Sequence, residues 1–387
     1  MGRWLTGLLA LPLAAGPAVT ATPQWVLGPD MPTPAGALGS EWHDISATAA
    51  TDVWAVGGAD DAPLTGHFDG TTWTEVPTPA VPDGFTYDLS AVDGAGVDDA
   101  WTVGTADELG QHDQLLAWHY DGRSWSAPAG AVPPIPDSSL ADVDMLTRDD
   151  GWAVGHYSTI ATRGLRPLVL HYTDGKWSRV INPIGDAISA DLTAVHALAT
   201  DDVWAVGTQS RIGGKQDTIV LHYDGIRWQE ITTPIVNPVG ESATLLAVAA
   251  ISGKDVWAAG KSCLTLADDS CHAVVLHLTP TGWTIVPTTG LATELTAVLP
   301  LAPGDVWIIG YASSKAENEY DLAEHWDGTS FTRDPQLPLP APDYTILDGE
   351  PGSALEAATI VPGTGAIWAA GWYRSPLKGT SHIIHRG

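Results

Sequence analysis

A tryptophan set in the phrase Asp-Val-Trp-Ala-Val-Gly, or a close variant, returns seven times in this 387-residue chain, at Trp54, Trp101, Trp152, Trp204, Trp257, Trp307 and Trp368. The intervals run from 47 to 61 residues, which is the length of one supersecondary unit in a repeat array. A second phrase, His-(Tyr/Phe/Trp)-Asp-Gly-x-x-Trp, follows the first as His67 to Trp73, His119 to Trp125 and His222 to Trp228, with a closing Phe in His325 to Phe331. One copy carries an extra Thr (His171 to Trp177), and another has lost its Asp (His277 to Trp283). A third phrase, Leu-(Thr/Ser)-Ala-Val, begins twelve residues ahead of the tryptophan at Leu89, Leu192 and Leu295.

Each repeat thus holds four short apolar or alternating segments punctuated by Gly, Asp and Pro, the pattern of four strands. We label them a (Leu-x-Ala-Val), b (Val-Trp-Ala-Val-Gly), c (ending at the repeated His) and d (starting at the second Trp). With 41 Gly and 29 Pro, no helix-length window is left uninterrupted, so a helical bundle or coiled coil is excluded. Four-stranded units that cannot bury their faces alone either close into a propeller or stack as an open solenoid. The chain ends choose between these. The seventh repeat stops after strand c, at His382 to His385, and the missing strand d stands at the other end, as Gln24 to Leu27 with Trp25 in the tryptophan slot. Pairing the two ends removes exposed sheet edges. The expected fold is all-β: a seven-bladed β-propeller of four-stranded antiparallel blades, with the N-terminal strand completing the last blade.

On these phrases the chain resembles the seven-bladed propellers that include kelch, galactose-oxidase-like and Asp-box (sialidase-type) repeats. It is most similar to the tryptophan-rich repeat propellers exported by actinobacteria. The Asp-Gly-x-x-Trp turn stands where Asp-box repeats carry Ser-x-Asp-x-Gly-x-x-Trp, without the leading Ser and the spacer. The kelch Gly-Gly doublet is absent. The likeness spans nearly all of residues 22–387 and implies an architecture, not an activity.

Residues 1–21 read as a secretory signal: Arg3 is the one charge, Leu5 to Ala15 form a short apolar run, and Val19-Thr20-Ala21 suits cleavage. Residues 22–387 are then a single propeller domain of a secreted, monomeric protein. In an oxidising compartment, Cys263 and Cys271 are expected to close a disulfide, with free thiols or a metal pair as the alternatives. The formal charge of −29, from 17 basic and 46 acidic residues, argues against nucleic acid and against an anionic membrane surface. Phosphate-loop, nucleophile-elbow and His-Glu-x-x-His motifs are missing.

A residue present in every blade serves every blade alike, so the repeated His, Trp and Asp are assigned to packing and turns. Asp52, Asp99, Asp202, Asp255 and Asp305 are read as caps of the a–b turn. Function is sought where repeats differ, on the top face that carries the long, dissimilar b–c loops and the entries to strand a. Asp44, Asp88, Asp191 and Glu294 stand at strand-a entries. They are read as a partial acidic ring at the channel mouth, able to hold Ca²⁺ or a cationic ligand, with turn capping as the plainer alternative. The residue after the strand-b glycine varies around the ring, with Thr at two of the seven positions, and includes His156, Lys261, Tyr311 and Trp372. With His43 and Tyr87 these are candidate ligand contacts, and His43, His156 and Tyr311 are the catalytic candidates if the protein is an enzyme. Arg163, Arg166, Arg211 and Lys215 form a basic arc on blades three and four. The leading expectation is non-catalytic binding of a glycan, small molecule or protein through the top face, with no cofactor beyond Ca²⁺. The alternative is a lyase, hydrolase or cyclase acting in the top-face funnel.

Overall fold

The computed structural model describes residues 23–387 except 30, 32–33, 35–36, 38, 61, 83, 109–111, 159–163, 185–187, 211–215, 237–240, 265–269, 314–318, 336, 339–351 and 376–377. The expected signal at 1–21 and the cations Arg163, Arg211 and Lys215 lie outside the described residues. The strands form seven antiparallel sheets of four. Blade one is Ser40–Ala49, Asp52–Ala59, Ala62–Phe68 and Trp73–Glu75, in the order a-b-c-d. Blade seven takes Gly352–Ile360, Ile367–Ser375 and Lys378–Arg386 from the C-terminus and Trp25–Leu27 as its outer strand, with Trp25 opposite Arg386. The ring is therefore closed by the two ends of the chain, as their sequences require.

The apolar residues gather into seven cores, one at each blade seam. The seam of blades one and two, for instance, joins Trp54 and Val56 to Leu89, Trp118 and Trp125. The tryptophan lattice explains the seams. In each blade the strand-d aromatic meets the strand-b tryptophan of the preceding blade, as in Trp125 on Trp54, Trp177 on Trp101 and Trp228 on Trp152, with ring centroids 5.3 to 5.6 Å apart and nearly perpendicular. Trp73 on Trp368 and Trp25 on Trp307 carry the same contact around the closure. Edge-to-face pairs of this size supply both area and orientation. The indole N–H groups of the strand-d Trp73, Trp125, Trp177 and Trp228 are buried without an acceptor among the described residues, whereas Trp204 and Trp257 donate to Asp202 and Asp255.

The repeated histidine stacks on its own blade's strand-b tryptophan in all seven blades, with Trp257 and His277 centroids 3.7 Å apart. In six blades its Nε2 also meets the aspartate two residues before that tryptophan: Asp52, Asp99, Asp150, Asp202, Asp255 or Asp305. These aspartates thus hold the strand-c imidazole, a more specific role than the turn cap read from sequence. The capping aspartates are those of the c–d turn. Asp69, Asp121, Asp224 and Asp327 each accept two backbone N–H bonds across their turns. Those bonds draw their carboxyls below the ordinary range, Asp327 to about 2 with the Thr329 hydroxyl as the largest cause.

The strand-b glycine has an equally local cause. Strand a carries a bulge in every blade, between Trp42 and Asp44 in blade one, opposite Gly57. The bulge presses a strand-a carbonyl against the glycine, so that a Cβ at Gly57, Gly104, Gly155, Gly207, Gly260, Gly310 or Gly371 would lie 1.9 to 2.1 Å from that oxygen. Only glycine fits there. The bulge also turns an extra strand-a residue, such as His43, Thr193 or Glu356, toward the axial channel.

Candidate functional site

The starts of strand a and the b–c loops share one face, and between blades one, two and seven they enclose a pocket of about 930 Å³. Its walls include Glu41, His43, Tyr87, Asp88 and Trp372, with Asp107 near the end of strand b of blade two and Asp60 and Asp113 in b–c loops. Three of the expected ligand contacts and one catalytic candidate therefore meet here. His43 Nδ1 donates to the Leu89 carbonyl at 2.8 Å, and Asp88 lies 3.4 Å from the same nitrogen. Nε2 donates to Glu41 at 3.2 Å. Burial disfavours the imidazolium, but these acceptors outweigh it and raise His43 to about 9. At neutral pH His43 is therefore a cation with both nitrogens donating, which suits a binding post better than a general base. Tyr87 stands edge-on to Trp118 at 5.4 Å, and the Trp372 indole donates to Glu356 at 2.8 Å.

The other candidates lie elsewhere on the ring. His156 pairs with Asp191 at 3.0 Å, a bond that raises its pKa against the cost of burial. Neither residue lines the top pocket or the axial channel. Glu294 accepts from Tyr311 at 2.8 Å and from the Lys261 ammonium. Those three close on one another across blades five and six, and Tyr311 is buried. His43, His156 and Tyr311 are thus on three separate parts of the top face, and the structure does not assemble them into one catalytic set. The acidic ring is also divided. Asp88, Asp191 and Glu294 pair with the residue after the strand-b glycine, whereas Asp44 pairs with Val56, beyond the bulge, so that Glu41 takes the ring position in blade one. Each of the three mouth acids already has a basic partner, His43, His156 or Lys261, and among the described residues no group of three or more His, Cys, Asp or Glu is arranged to hold a metal ion.

Below the mouth, the strand-a segments of all seven blades line an axial cavity of about 430 Å³. Strand a is the inner edge of every sheet, and its outward N–H groups need acceptors. In blades one to three, aspartates meet that need across the seams. Asp44 accepts from Val92 N–H, Asp93 from Met145, Asp142 from Val195 and Asp144 from Ala197, at 2.7 to 3.1 Å. Burial raises Asp44 to about 6 and, with the charge of Asp144, Asp93 to about 8; burial and the charge of Asp44 lift Asp142 well above the ordinary range. His196 is opposed by burial, yet its bond to Asp144 leaves it raised. Of this group only Asp44 stood out in the sequence. Aligning Trp42-His-Asp-Ile45 and Leu140-Ala-Asp-Val143 on Leu-x-Ala-Val would have put Asp44 and Asp142 in one slot.

Cys263 and Cys271 sit opposite each other on strands b and c of blade five and form the expected disulfide.

No protein family matches the sequence, and no curated protein is similar to it. Solved structures do match. A protein of unknown function from Dyadobacter fermentans is 13% identical with a TM-score of 0.52, over 94% of this chain and 98% of that one. A polysaccharide lyase of a new family, an ulvan lyase bound to -[GlcA(1-4)Rha3S]-, is 9% identical with a TM-score of 0.53, over 87% and 92%. Another polysaccharide lyase is 10% identical with a TM-score of 0.52, over 87% and 88%. The shared property is the fold. The disulfide is compatible with a secreted or extracellular protein, and no helix among the described residues is long and apolar enough to cross a membrane.

Proposed function

We propose that the chain is a secreted, non-catalytic binding propeller that holds a glycan or other polar small molecule in the top-face pocket of blades one, two and seven. It would belong with the exported tryptophan-rich repeat propellers that its repeats resemble. The carrying observation is the pocket itself: about 930 Å³, near the upper end of small-molecule sites, with Tyr87, Trp372 and protonated His43 on its walls. Its five carboxylates, Glu41, Asp60, Asp88, Asp107 and Asp113, with no Lys or Arg among the described lining residues, favour neutral or cationic ligands and repel polyanions.

The second reading, an enzyme in the same funnel, draws on the lyases among the structural neighbours and on His43 set between two carboxylates. A lyase acting on a uronate polymer such as the neighbour's ligand would need a base free to take a proton and a pocket that admits carboxylates, and neither suits this site. The test is calorimetric titration of the intact protein with a panel of neutral, amino and acidic oligosaccharides, with and without Ca²⁺, alongside a turnover assay on the same panel. Saturable binding of neutral or amino sugars without turnover, weakened at least tenfold by Trp372→Ala, is expected. Turnover abolished by His43→Gln would replace the binding reading with the enzymatic one, and a Tm unmoved by Ca²⁺ would remove the metal from the proposal.

A further inference from the structure

The bulge of blade one sets two titratable side chains next to each other, and both reach for the same neighbouring strand. His43 Nδ1 donates to the Leu89 carbonyl at 2.8 Å, and Asp44 accepts the Val92 N–H at 2.8 Å. Consecutive residues of one strand a thus hold strand a of blade two at points three residues apart. The pair also stands between the two cavities. His43 lines both the axial cavity and the top-face pocket, and no other described residue does. The two strands it joins carry walls of that pocket, Ser40 and Glu41 on blade one and Thr86, Tyr87 and Asp88 on blade two.

Charge acts on this contact from several blades. Glu41 accepts from the His43 imidazole and Asp88 lies beside it, while Asp60, Asp107 and Asp113 share the pocket with it. Around the axial cavity Asp44 is accompanied by Asp93 on blade two, Asp142 and Asp144 on blade three, His196 on blade four and Glu356 on blade seven. The cavity residues of blades five and six carry no titratable group. Burial disfavours the Asp44 carboxylate more than the Val92 and Ile45 N–H groups and the His43 charge favour it. Asp44 is therefore held more firmly as the acid in the closed contact than in water, and His43 more firmly as the cation. A contact whose two partners both bind protons more tightly when closed is strengthened by acid and weakened by base.

We propose that His43 and Asp44 form an acid-closed clasp across the seam of blades one and two, which sets how firmly the walls of the top-face pocket are held together. As regulation of a binding site this rests on the binding reading above, whereas the clasp itself belongs to the unliganded ring. Opening exposes Asp44 to water, where an aspartate titrates at about 4, against about 6 in the closed contact. Linkage then makes opening about tenfold more frequent at pH 7.5 than at pH 5. His43, at about 9, carries the same trend to higher pH.

The test needs no ligand. Amide hydrogen exchange of Val92 in the intact ¹⁵N-labelled protein, corrected for the intrinsic rate at each pH, is followed from pH 5 to 7.5 together with the amide shifts of Glu41, Tyr87 and Asp88. Val92 is expected to be less protected than Val206, which is buried in strand b of blade four, and to lose about tenfold in protection across the range. The three pocket amides should move with the Val92 shift, at a midpoint of about 6. Asp44→Asn keeps an acceptor for the Val92 N–H without an ionisable group, and it should leave the protection level and abolish the common midpoint. His43→Gln keeps a donor for Leu89 without the charge and should move the midpoint to higher pH, a second reading if the first variant folds poorly. Four results would each overturn the proposal: Val92 as protected as Val206, protection that is level or rises with pH, a slope that survives in Asp44→Asn, or pocket amides that stay still while Val92 responds. Failure of every oligosaccharide to bind would overturn the binding reading and leave the clasp standing.

Discussion

The outer body of the ring and its inner edge are built on opposite plans. Outward from strand b, the blades repeat one another: a strand-d aromatic on a strand-b tryptophan across every seam, histidine on tryptophan within every blade, aspartate on histidine in six of the seven. On strand a the repetition fails, and the channel carries buried aspartates in blades one to three where blades four to seven place His196, Ala249, Leu299 and Thr359 at one level and alanine at another. The outer lattice answers one geometric problem seven times, so each position tolerates one solution. The inner edge only has to satisfy its free N–H groups, and several side chains can do that. Chemistry is consequently free to vary at the axis and at the mouth, and the axial cavity and the top-face pocket are both lined from that variable ground.

The sharpest break in that comparison is expected where the two plans touch, at the strand-b glycine. Gly57→Ala would drive a Cβ to 2.1 Å from the Glu41 carbonyl, whereas the neighbouring Gly58→Ala meets nothing closer than 3.8 Å. We expect the first to cost about 3 kcal/mol or more in urea unfolding and the second to stay within about 0.5 kcal/mol. Equal costs for the two variants would show that the bulge is not what demands glycine.

Next in size is the loss of an acceptor in the lattice. Asp202→Ala leaves both His222 Nε2 and the Trp204 indole without their shared partner, at an expected cost of about 1–3 kcal/mol, measurable by the same unfolding experiment. The disulfide should act on a similar scale. Opening Cys263–Cys271 by a double Ser substitution releases a loop eight residues apart in sequence, worth about 2–3 kcal/mol in the chain-entropy account.

The channel supplies a pH dependence of its own. Asp44 at about 6, Asp93 at about 8 and Asp142 far above its usual range bind protons more tightly folded than unfolded. Each therefore costs stability increasingly as pH climbs from about 4 to its folded value. His43 at about 9 and the raised His196 contribute stability that is complete below about 6.5 and is lost as pH rises through their folded values. Both effects run the same way, so Tm should fall from pH 6 to pH 9. Asp93→Asn keeps an acceptor for the Met145 N–H without the charge, and it should flatten the fall and raise Tm by several degrees at pH 9. A wild-type Tm that is level across this range would remove the buried-charge account of the channel.

The division between lattice and edge is also the division between what the sequence made legible and what it hid. The blade count, the strand order and the terminal closure follow from Trp54 to Trp368 and from Trp25, because packing positions recur with the period of the fold. Asp93, Asp142, Asp144 and His196 stand in strand-a slots whose residue type changes around the ring, and their meeting in one cavity depends on a bulge that shifts register by a residue inside strand a. That shift is also why Asp44, though acidic and near a strand entry, belongs with Asp142 rather than with Asp88, Asp191 and Glu294. The top pocket is legible in part: Trp372 stands in a slot that varies around the ring, Asp88 at an acidic strand-a entry, and His43 and Tyr87 beside those positions. Which varying slots face one another is set by the curvature of the ring, and a strand pattern carries no information on that.

Blade seven offers the smallest and most specific test, because it is the one blade in which the lattice is incomplete. Ala366 stands two residues before Trp368, where the other six blades place the aspartate that meets the strand-c histidine. His385 still stacks on Trp368, 4.9 Å between centroids, but it has only burial acting on it, and its pKa is lowered. Ala366→Asp should restore the missing bond and raise the His385 pKa, followed through its imidazole proton shifts between pH 5 and 8. The gain in stability at pH 7 should be at most about 1 kcal/mol, because His385 is only partly buried and the new carboxylate must itself lose water. By the same linkage, the raised imidazole would add stability below about 6.5 that fades at higher pH. If the His385 titration does not move, the aspartate–histidine contact in the other six blades follows from the tryptophan packing and does not help to position it.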